Sequence, residues 1–314
     1  MTNAVVKLEN SNFGLSTQLL NENLIADWIR FCDVKTETQK TYLKSIKQFY
    51  LYLDAQGIKT PSRDDVIRFR DSLLLTHKVT TCRLYLTAVK MFIRWLASKG
   101  LCANFADNVK GVKIPATHNR DALTLDESKA VIKSFKGTDV KTLRDQSIMA
   151  LMLSCGLRSI EVVRLDVGDI EKRRGKIFIR VHGKARDGKV DKVQLPPQVY
   201  SLIQSYLKMR GKVKADEPLF CATSHRNAGQ RLQTQTISRL AKKSFRAVGI
   251  DSPRITCHSC RHSCATNALI FGVDIAKVQQ TLRHRNPATT QIYRHDLDEF
   301  NNDSTNIVAD MLFG

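Results

Sequence analysis

Apolar side chains between residues 21 and 103 recur at intervals of three and four positions, a spacing typical of amphipathic helices. In the clearest run they are Tyr42, Leu43, Ile46, Phe49, Tyr50 and Leu53. Two later runs contain Val66, Phe69 and Leu73, and Leu84, Val89, Phe92 and Leu96. This part of the chain is therefore predicted to form a small helical bundle around one apolar core.

Polar residues before two of these runs predict where the helices begin. Thr36 precedes Gln39 by three positions, and Ser62 precedes Asp65 by the same interval. A hydroxyl residue followed by an amide or acidic one at this distance is typical of a helix N-terminus, because each side chain can bond a backbone N–H group. We expect Thr36 and Ser62 to cap their helices.

The pattern changes beyond the helical bundle. Apolar periodicity fails over residues 104–120, which are predicted to link two domains. A helix is then predicted over residues 143–155, followed by two strands over residues 176–181 and 190–195 that a turn rich in glycine and lysine connects. Most of the remaining sequence has helical spacing.

These patterns predict four segments and a fold class. Residues 1–20 are expected to be loosely ordered, residues 21–103 to form a helical domain, residues 104–120 to form the linker, and residues 121–314 to form a second domain. A chain of 314 residues is long enough for two domains. The fold is expected to be mainly α with a small antiparallel β-sheet.

Charge narrows the classes of partner. The chain has 50 Lys and Arg against 30 Asp and Glu, a formal net charge of +20. Because the basic residues are spread along the chain, they favour an extended nucleic acid over a membrane surface. No apolar run approaches the roughly 18 residues of a membrane span, and residues 1–7 lack the features of a secretion signal. We therefore expect a cytoplasmic protein that binds DNA or RNA.

Six side chains of the second domain form a set suited to phosphoryl transfer without a metal. They are Arg158, Lys184, His258, Arg261, His284 and Tyr293. A phosphodiester transition state spreads negative charge over its non-bridging oxygens, which paired guanidiniums can hold. A phenol, with an ordinary pKa of about 10, attacks at neutral pH only beside a base or in a cationic setting. A lysine or histidine can protonate the leaving oxygen.

In order and spacing, this set resembles that of the tyrosine recombinases of the phage-integrase and Xer class. The matching motifs are Gly156-Leu157-Arg158-x-x-Glu161, Gly183-Lys184 in the hairpin, His258-x-x-Arg261-His262, and Leu282-x-His284 with Tyr293 nine residues later. The resemblance covers the second domain, and the helical first domain fits the core-binding domain of that family. It implies a C-shaped clamp on DNA.

The resemblance also implies a role for each residue. Tyr293 attacks a DNA phosphate and forms a 3′-phosphotyrosyl link, while Arg158 and Arg261 hold the scissile phosphate. His258 and His284 hydrogen-bond the phosphate and assist proton movement. No ATP, metal or other cofactor is implied, because the covalent link keeps the energy of the phosphodiester.

Two positions differ from the others: Lys184 has an alternative in the same turn, and Arg283 departs from the family motif. Lys184 is expected to protonate the leaving 5′-oxygen, but Lys189 lies in the same turn and is the alternative. Arg283 stands where the family usually has a glycine before the second histidine. Because glycine permits a tight turn there, Arg283 either alters the loop or adds a phosphate contact.

Three cysteines close to the two histidines of the His-x-x-Arg-His motif suggest a competing hypothesis. Cys257, Cys260 and Cys264, together with His258 and His262, offer ligand types that zinc accepts. The same cysteine spacing also describes the buried face of one helix, and reduced cysteines mostly occupy protein cores. We favour the core assignment and expect no metal site.

Several exposed-face residues are candidates for DNA contact. They are Lys40, Lys44, Lys47, Arg83 and Lys90 in the first domain and Gln235, Arg239 and Lys242 in the second. Most are expected to contact phosphates and to set affinity, whereas the amide of Gln235 can bond an adenine edge.

The last helical stripe bears on assembly. It contains Ile307, Val308, Met311, Leu312 and Phe313. The stripe either packs on its own domain or docks on a neighbouring protomer, as the resemblance implies for a tetramer on paired DNA sites, and we favour the second.

The expected function is site-specific recombination for DNA integration, excision of a mobile element, or dimer resolution. A type IB topoisomerase-like enzyme, or a non-catalytic DNA-binding regulator on the same fold, is the alternative. The apolar tail argues against the first of these and the complete residue set against the second.

Overall fold

The computed structural model of the chain describes residues 22–113, 121–182, 190–224, 226–284, 286, 290–291, 293 and 303–313. The predicted N-terminal segment and the turn with Lys184 and Lys189 lie outside these residues. The chain divides into two compact units, Met1–Thr117 and His118–Gly314. Each unit has an apolar core of its own.

Four helices build the first unit: α1 (Glu22–Phe31), α2 (Thr36–Ala55), α3 (Arg63–Thr76) and α4 (Val79–Ser98). In the core between them, Trp28, Phe49 and Phe92 are fully buried. The rings of Trp28 and Phe92 pack edge to face with centroids 5.0 Å apart. The helical bundle predicted from apolar spacing is confirmed, although Leu43 and Leu84 remain 41% and 40% exposed at the margin of the buried face.

The two predicted helix caps have different outcomes. Ser62 is the N-cap of α3, and its backbone N–H donates to Oδ2 of Asp65 at 2.8 Å. Thr36 is the first residue within α2 instead of its cap. Because Gln39 donates its amide to the carbonyl oxygen of Val34 at 2.9 Å, the reciprocal bond of a capping box is not made. The prediction for Thr36 was wrong by one position.

The first part of the predicted linker packs on the first unit. Phe105, Ala106 and Val109 are almost fully buried in its core. The ammonium group of Lys90 donates to the carbonyl oxygen of Val109 at 2.6 Å. Three apolar residues without regular spacing give no helix or strand signal, so the sequence pattern did not reveal this packing. Residues 104–113 therefore extend the first unit.

In the second unit the structure describes α5 (Leu125–Lys133), α6 (Val140–Cys155), α7 (Ser159–Arg164), α8 (Pro197–Arg210), α9 (Thr234–Arg246), α10 (Cys257–Ile270), α11 (Ile275–Leu282) and α12 (Ser304–Phe313). Helix α6 lies in the core, with Ile148 and Leu151 fully buried, and both α8 and α10 pack against it. Within the described ranges, no helix combines the length and apolar character needed to cross a membrane.

Three strands form an antiparallel sheet in chain order: β1 (Ile170–Arg173), β2 (Lys176–His182) and β3 (Val190–Gln194). Ile179 of β2 lies opposite Ile170 in β1 and Val193 in β3. Strands β2 and β3 correspond to the two predicted strands. Strand β1 was not predicted, because four residues with one apolar side chain show no alternation.

Helix α6 ends at Gly156, as the sequence predicts. The φ angle of Gly156 is 60°, in the left-handed region that glycine adopts without steric cost. A Cβ atom at this position would lie only 2.6 Å from Cδ2 of Leu282, the last residue of α11. The close approach of the ends of α6 and α11 therefore depends on the absence of a side chain.

All eight cysteines are free thiols, and none is fully exposed. Burial raises the pKa of Cys155 to about 12 and that of Cys264 to about 11. These thiols therefore remain protonated at neutral pH.

Replacing Gly156 tests the contact between the two helix ends. We expect Gly156→Ala to lower the free energy of unfolding by about 2–3 kcal/mol, because the left-handed backbone and the clash with Leu282 both add a cost. Gly175→Ala is the matched control: its φ is 75°, and a Cβ there meets nothing within 4 Å. It should cost about 1 kcal/mol. Urea unfolding measures both, and equal losses would contradict the proposed clash.

Candidate active site

The ends of α6 and α11 and the start of α7 surround one arginine of α10. Arg261 is 5% exposed, and its guanidinium donates to the carbonyl oxygen of Gly156 at 2.6 Å and to that of Leu282. These carbonyls stand at the C-terminal ends of α6 and α11, where helix dipoles favour positive charge. Burial, followed by the charges of Arg158 and Arg283, lowers the pKa of Arg261 to about 9.

Arg158 is held by a buried carboxylate. It occupies the N-cap of α7, and its backbone N–H donates to Oε2 of Glu161 at 2.8 Å. Its guanidinium donates to Oε1 of the same carboxylate at 2.7 Å. Glu161 is 1% exposed, whereas the side chain of Arg158 keeps 29% of its surface exposed. Glu161 thus orients Arg158 from its buried side, and the Arg158 side chain remains accessible to solvent.

A third guanidinium contacts the same carboxylate. Arg283 donates to Oε2 of Glu161 at 2.7 Å, and its side chain is 5% exposed. Burial opposes the ionisation of Glu161, but Arg283, the backbone N–H of Arg158, and the charges of Arg158 and Arg261 outweigh it. The pKa of Glu161 is therefore lowered.

His284 lies beside this cationic cluster. Burial, followed by the charges of Arg261, Arg158 and Arg283, lowers its pKa to about 4. Its Nδ1 atom shares a hydrogen bond of 2.9 Å with the hydroxyl of Thr290, which is itself buried. His284 is therefore neutral at pH 7 and held at one ring nitrogen.

Tyr293 lies between two histidine rings. Its ring stacks on that of His284 with centroids 6.2 Å apart, and the ring of His262 meets it edge to face at 4.6 Å. The side chain is 8% exposed and packs in a small apolar cluster with Leu282 and Val278.

The structure brings Arg158, Arg261, His284 and Tyr293 into one site. His258 lies on the first turn of α10, three residues before Arg261, and its side chain is exposed. Lys184 and its alternative Lys189 lie outside the described residues.

The comparison with protein families agrees with this geometry. The family model described as the phage integrase family matches residues 121–299, which is more than half of the chain. The chain belongs to the phage integrase family. It is a site-specific tyrosine recombinase, an enzyme that cleaves and rejoins DNA strands.

Relatives with assigned functions match over most of this recombinase. Tyrosine recombinase XerA of Pyrococcus furiosus is 31% identical over 278 residues, which are 87% of this chain and 90% of that protein. Tyrosine recombinase slr0733 of Synechocystis sp. is 29% identical over 311 residues, 93% of this chain and 96% of that protein.

Solved structures show the same fold. The XerH site-specific recombinase, in a post-cleavage complex with palindromic difH substrate, superposes with a TM-score of 0.72 and 18% identity over 95% of this chain and 91% of that one. A lambda integrase dimer bound to a COC′ core site gives a TM-score of 0.68 at 15% identity, covering 90% of this chain and 78% of that one. The predicted mainly helical fold with a small antiparallel sheet is confirmed.

The residues predicted to contact DNA differ in their surroundings. Lys44, Lys47, Arg83, Gln235 and Arg239 are exposed on the surface of the recombinase. Lys40 is also exposed and pairs with Glu37 at 2.8 Å.

Two of the predicted DNA contacts are engaged within the protein. Lys90 donates to Val109, as described above, and Lys242 donates to the carbonyl oxygen of Ser252 at 2.8 Å while pairing with Asp251 at 3.0 Å. Their ammonium groups therefore serve the fold, which the sequence pattern on α4 and α9 did not indicate.

Two residues that have no predicted catalytic role contact the predicted catalytic groups. His262 was considered as part of a motif and as a zinc ligand, yet its ring meets that of Tyr293, and the hydroxyl of Thr290 shares a hydrogen bond with His284. The motif itself was a usable signal for His262. Thr290 gave none, because it belongs to none of the matching motifs.

The neighbouring cysteines form no metal centre in the part of the chain that the structure describes, where no group of three or more His, Cys, Asp or Glu side chains could hold an ion. Cys257 and Cys260 are buried thiols on α10, as the core assignment requires.

The lowered pKa of His284 predicts how stability depends on pH. Because the folded pKa of about 4 lies below the ordinary value of 6.5, the unfolded chain takes up a proton that the folded chain does not as the pH falls between them. Stability is therefore lost in that window. We expect the melting temperature of His284→Gln to fall less than that of the wild type between about pH 7 and pH 5. An equal fall in both proteins would contradict the assignment.

Proposed function

We propose that Tyr293 is the nucleophile of strand cleavage and that Arg158 and Arg261 bind the scissile phosphate. The observation that supports this most directly is the convergence of both guanidiniums and the Tyr293 ring on the ends of α6 and α11. Arg261 is immobilised by two carbonyl oxygens, whereas Arg158 is accessible. Arg261 therefore offers the non-bridging oxygens a partner in a fixed position, and Arg158 offers them a partner on the accessible side.

The cleavage step exchanges one phosphoester bond for another and therefore needs no external energy source. The phenolic oxygen of Tyr293 forms a bond to phosphorus while the bond from phosphorus to the 5′-oxygen breaks. The phenolic proton passes towards His258 or His284, and a lysine protonates the leaving 5′-oxygen. We assign that proton to Lys184, with Lys189 as the alternative. The imidazole of His284 is neutral at pH 7 and so has a ring nitrogen that can accept a hydrogen bond from the phenol or the proton that it releases.

The target is a DNA duplex that the exposed basic and amide residues of both units contact. Lys44, Lys47 and Arg83 of the first unit and Arg239 of the second are assigned to phosphates, and Gln235 to a base edge. The reactions that agree with this target are integration or excision of a mobile element, or dimer resolution. We place the enzyme in the cytoplasm, where it acts on DNA. We assign no metal or other cofactor to this chemistry.

Replacing the proposed nucleophile tests the reaction. Tyr293→Phe should bind a DNA site as well as the wild type does, but should form no covalent complex on a substrate nicked so that the cleaved strand diffuses away. Denaturing gel electrophoresis measures the complex. Tyr200→Phe, a tyrosine of α8 in the same unit, is the matched control and should cleave normally. A covalent complex formed by Tyr293→Phe would contradict the assignment.

We further propose that α12 docks on a second copy of the chain. Within the described residues α12 has no buried side chain, and Ile307, Val308, Met311, Leu312 and Phe313 are each more than half exposed. A ten-residue helix with so much exposed apolar surface needs a partner in the assembled state.

The second unit also carries a groove that offers an apolar surface to such a helix. Its volume is about 560 Å³, and Leu125, Ile132, Leu153, Ala268, Val273 and Val278 line it. Lys129 and Lys133 line the same groove, and Asp310 of α12 offers the complementary charge. We therefore assign the groove to α12 of a neighbouring protomer in a tetramer on paired DNA sites.

Blocking either side of this contact should prevent assembly without weakening binding to one site. We expect deletion of residues 303–314, and separately Ala268→Trp in the groove, to abolish cooperative occupancy of paired sites in a gel-shift titration. Met209→Trp, on an exposed position of α8, is the control. A mixture of the deletion variant and the groove variant should recover part of the cooperativity, since one contact can still form. Unchanged cooperativity in the deletion variant would show that α12 docks on its own protomer or nowhere.

A further inference from the structure

Arg283 adopts a backbone conformation that disfavours its side chain. It follows the last residue of α11 with a φ of 58°, in the left-handed region, and its N–H donates to the carbonyl oxygen of Gln280 at 3.0 Å. Glycine meets this requirement without strain, whereas an L side chain does not. An arginine at this position therefore carries a conformational cost, which an interaction of its side chain can offset.

The compensation comes from the side chain itself. The guanidinium of Arg283 turns inward, donating to Glu161 at 2.7 Å and to the carbonyl oxygen of Thr281 at 2.6 Å. An ion pair in which both side chains are at least 95% buried is costly to break, because either partner alone would be an unpaired buried charge. The contact fastens the end of α11 to the start of α7.

The carboxylate that Arg283 contacts is the one that orients Arg158. Oε1 of Glu161 accepts from the Arg158 guanidinium, and Oε2 accepts from Arg283 and from the Arg158 backbone. One negative charge is thus shared between two guanidiniums. Without Arg283, Glu161 would pair with Arg158 alone, and the cluster would offer less positive charge to the transition state of cleavage.

We propose that Arg283 is a positioning residue for strand cleavage: it shares the charge of Glu161, so that Glu161 orients Arg158 without neutralising it. The proposal rests on the role assigned above to Arg158 at the scissile phosphate. Arg283 directly precedes His284, so its contact with Glu161 also fixes the backbone next to this histidine. It contacts neither the reacting atoms nor the DNA in this role.

Replacement by glycine removes the charge while favouring the local backbone. We expect Arg283→Gly to lower the single-turnover rate constant for covalent complex formation at saturating DNA by about tenfold. Its affinity for a single site, and the dependence of that affinity on salt, should stay as in the wild type. Arg283→Lys keeps a positive charge and should recover most of the lost rate.

Arg174→Gly is the matched control. Arg174 also has a left-handed backbone, with a φ of 47°, but it is exposed in the turn between β1 and β2. The control removes the same charge and the same backbone strain, and its rate constant should not change.

The rate constant remains a valid test of the proposal even for a variant that folds poorly. An unfolded fraction lowers the amplitude of the reaction and leaves the rate constant unaffected. A rate constant for Arg283→Gly equal to that of the wild type overturns the proposal, whether or not binding or amplitude changes. An equal loss in Arg283→Lys overturns the electrostatic role. Failure of the wild type itself to form a covalent complex would instead overturn the function assigned to Tyr293.

Discussion

The burial of the Arg261 guanidinium constrains how the helices of the second unit meet. A charge removed from water is costly unless its hydrogen bonds are satisfied. Here the carbonyl oxygens at the ends of α6 and α11 accept from it, which draws both helix ends to α10. Gly156 makes this approach possible, because any Cβ would collide with Leu282. The site is thus assembled from helix termini that one arginine holds together.

Electrostatic repulsion within this assembly explains its suitability for a phosphate. Three guanidiniums face a single carboxylate, so the cluster keeps an excess of positive charge in a largely buried setting. Burial, together with the same positive field, lowers the pKa of His284 and keeps its imidazole neutral. A phosphodiester brings the negative charge that the protein does not supply itself. The transition state, in which negative charge is spread over the non-bridging oxygens, gains most from this arrangement.

The sequence predicted features that depend on near neighbours along the chain. The cap formed by Ser62 and Asp65 and the helix end at Gly156 are of this kind, and the motif spacing identified the residues that converge. Features that depend on distant contacts were missed. Phe105 joins the first core, and Lys242 bonds a loop. Arg283 was recognised as a departure from glycine, but only the fold reveals that its partner is Glu161, more than a hundred residues earlier.

The protonated state of the buried cysteines has a chemical consequence for this site. Cys155 and Cys264 lie beside the arginine cluster, and a thiolate there would be a stronger nucleophile than a phenol. Desolvation keeps both sulfur atoms in the thiol form despite the nearby positive charges. In the cleavage step proposed above, neither sulfur would therefore compete as a thiolate with the phenol of Tyr293.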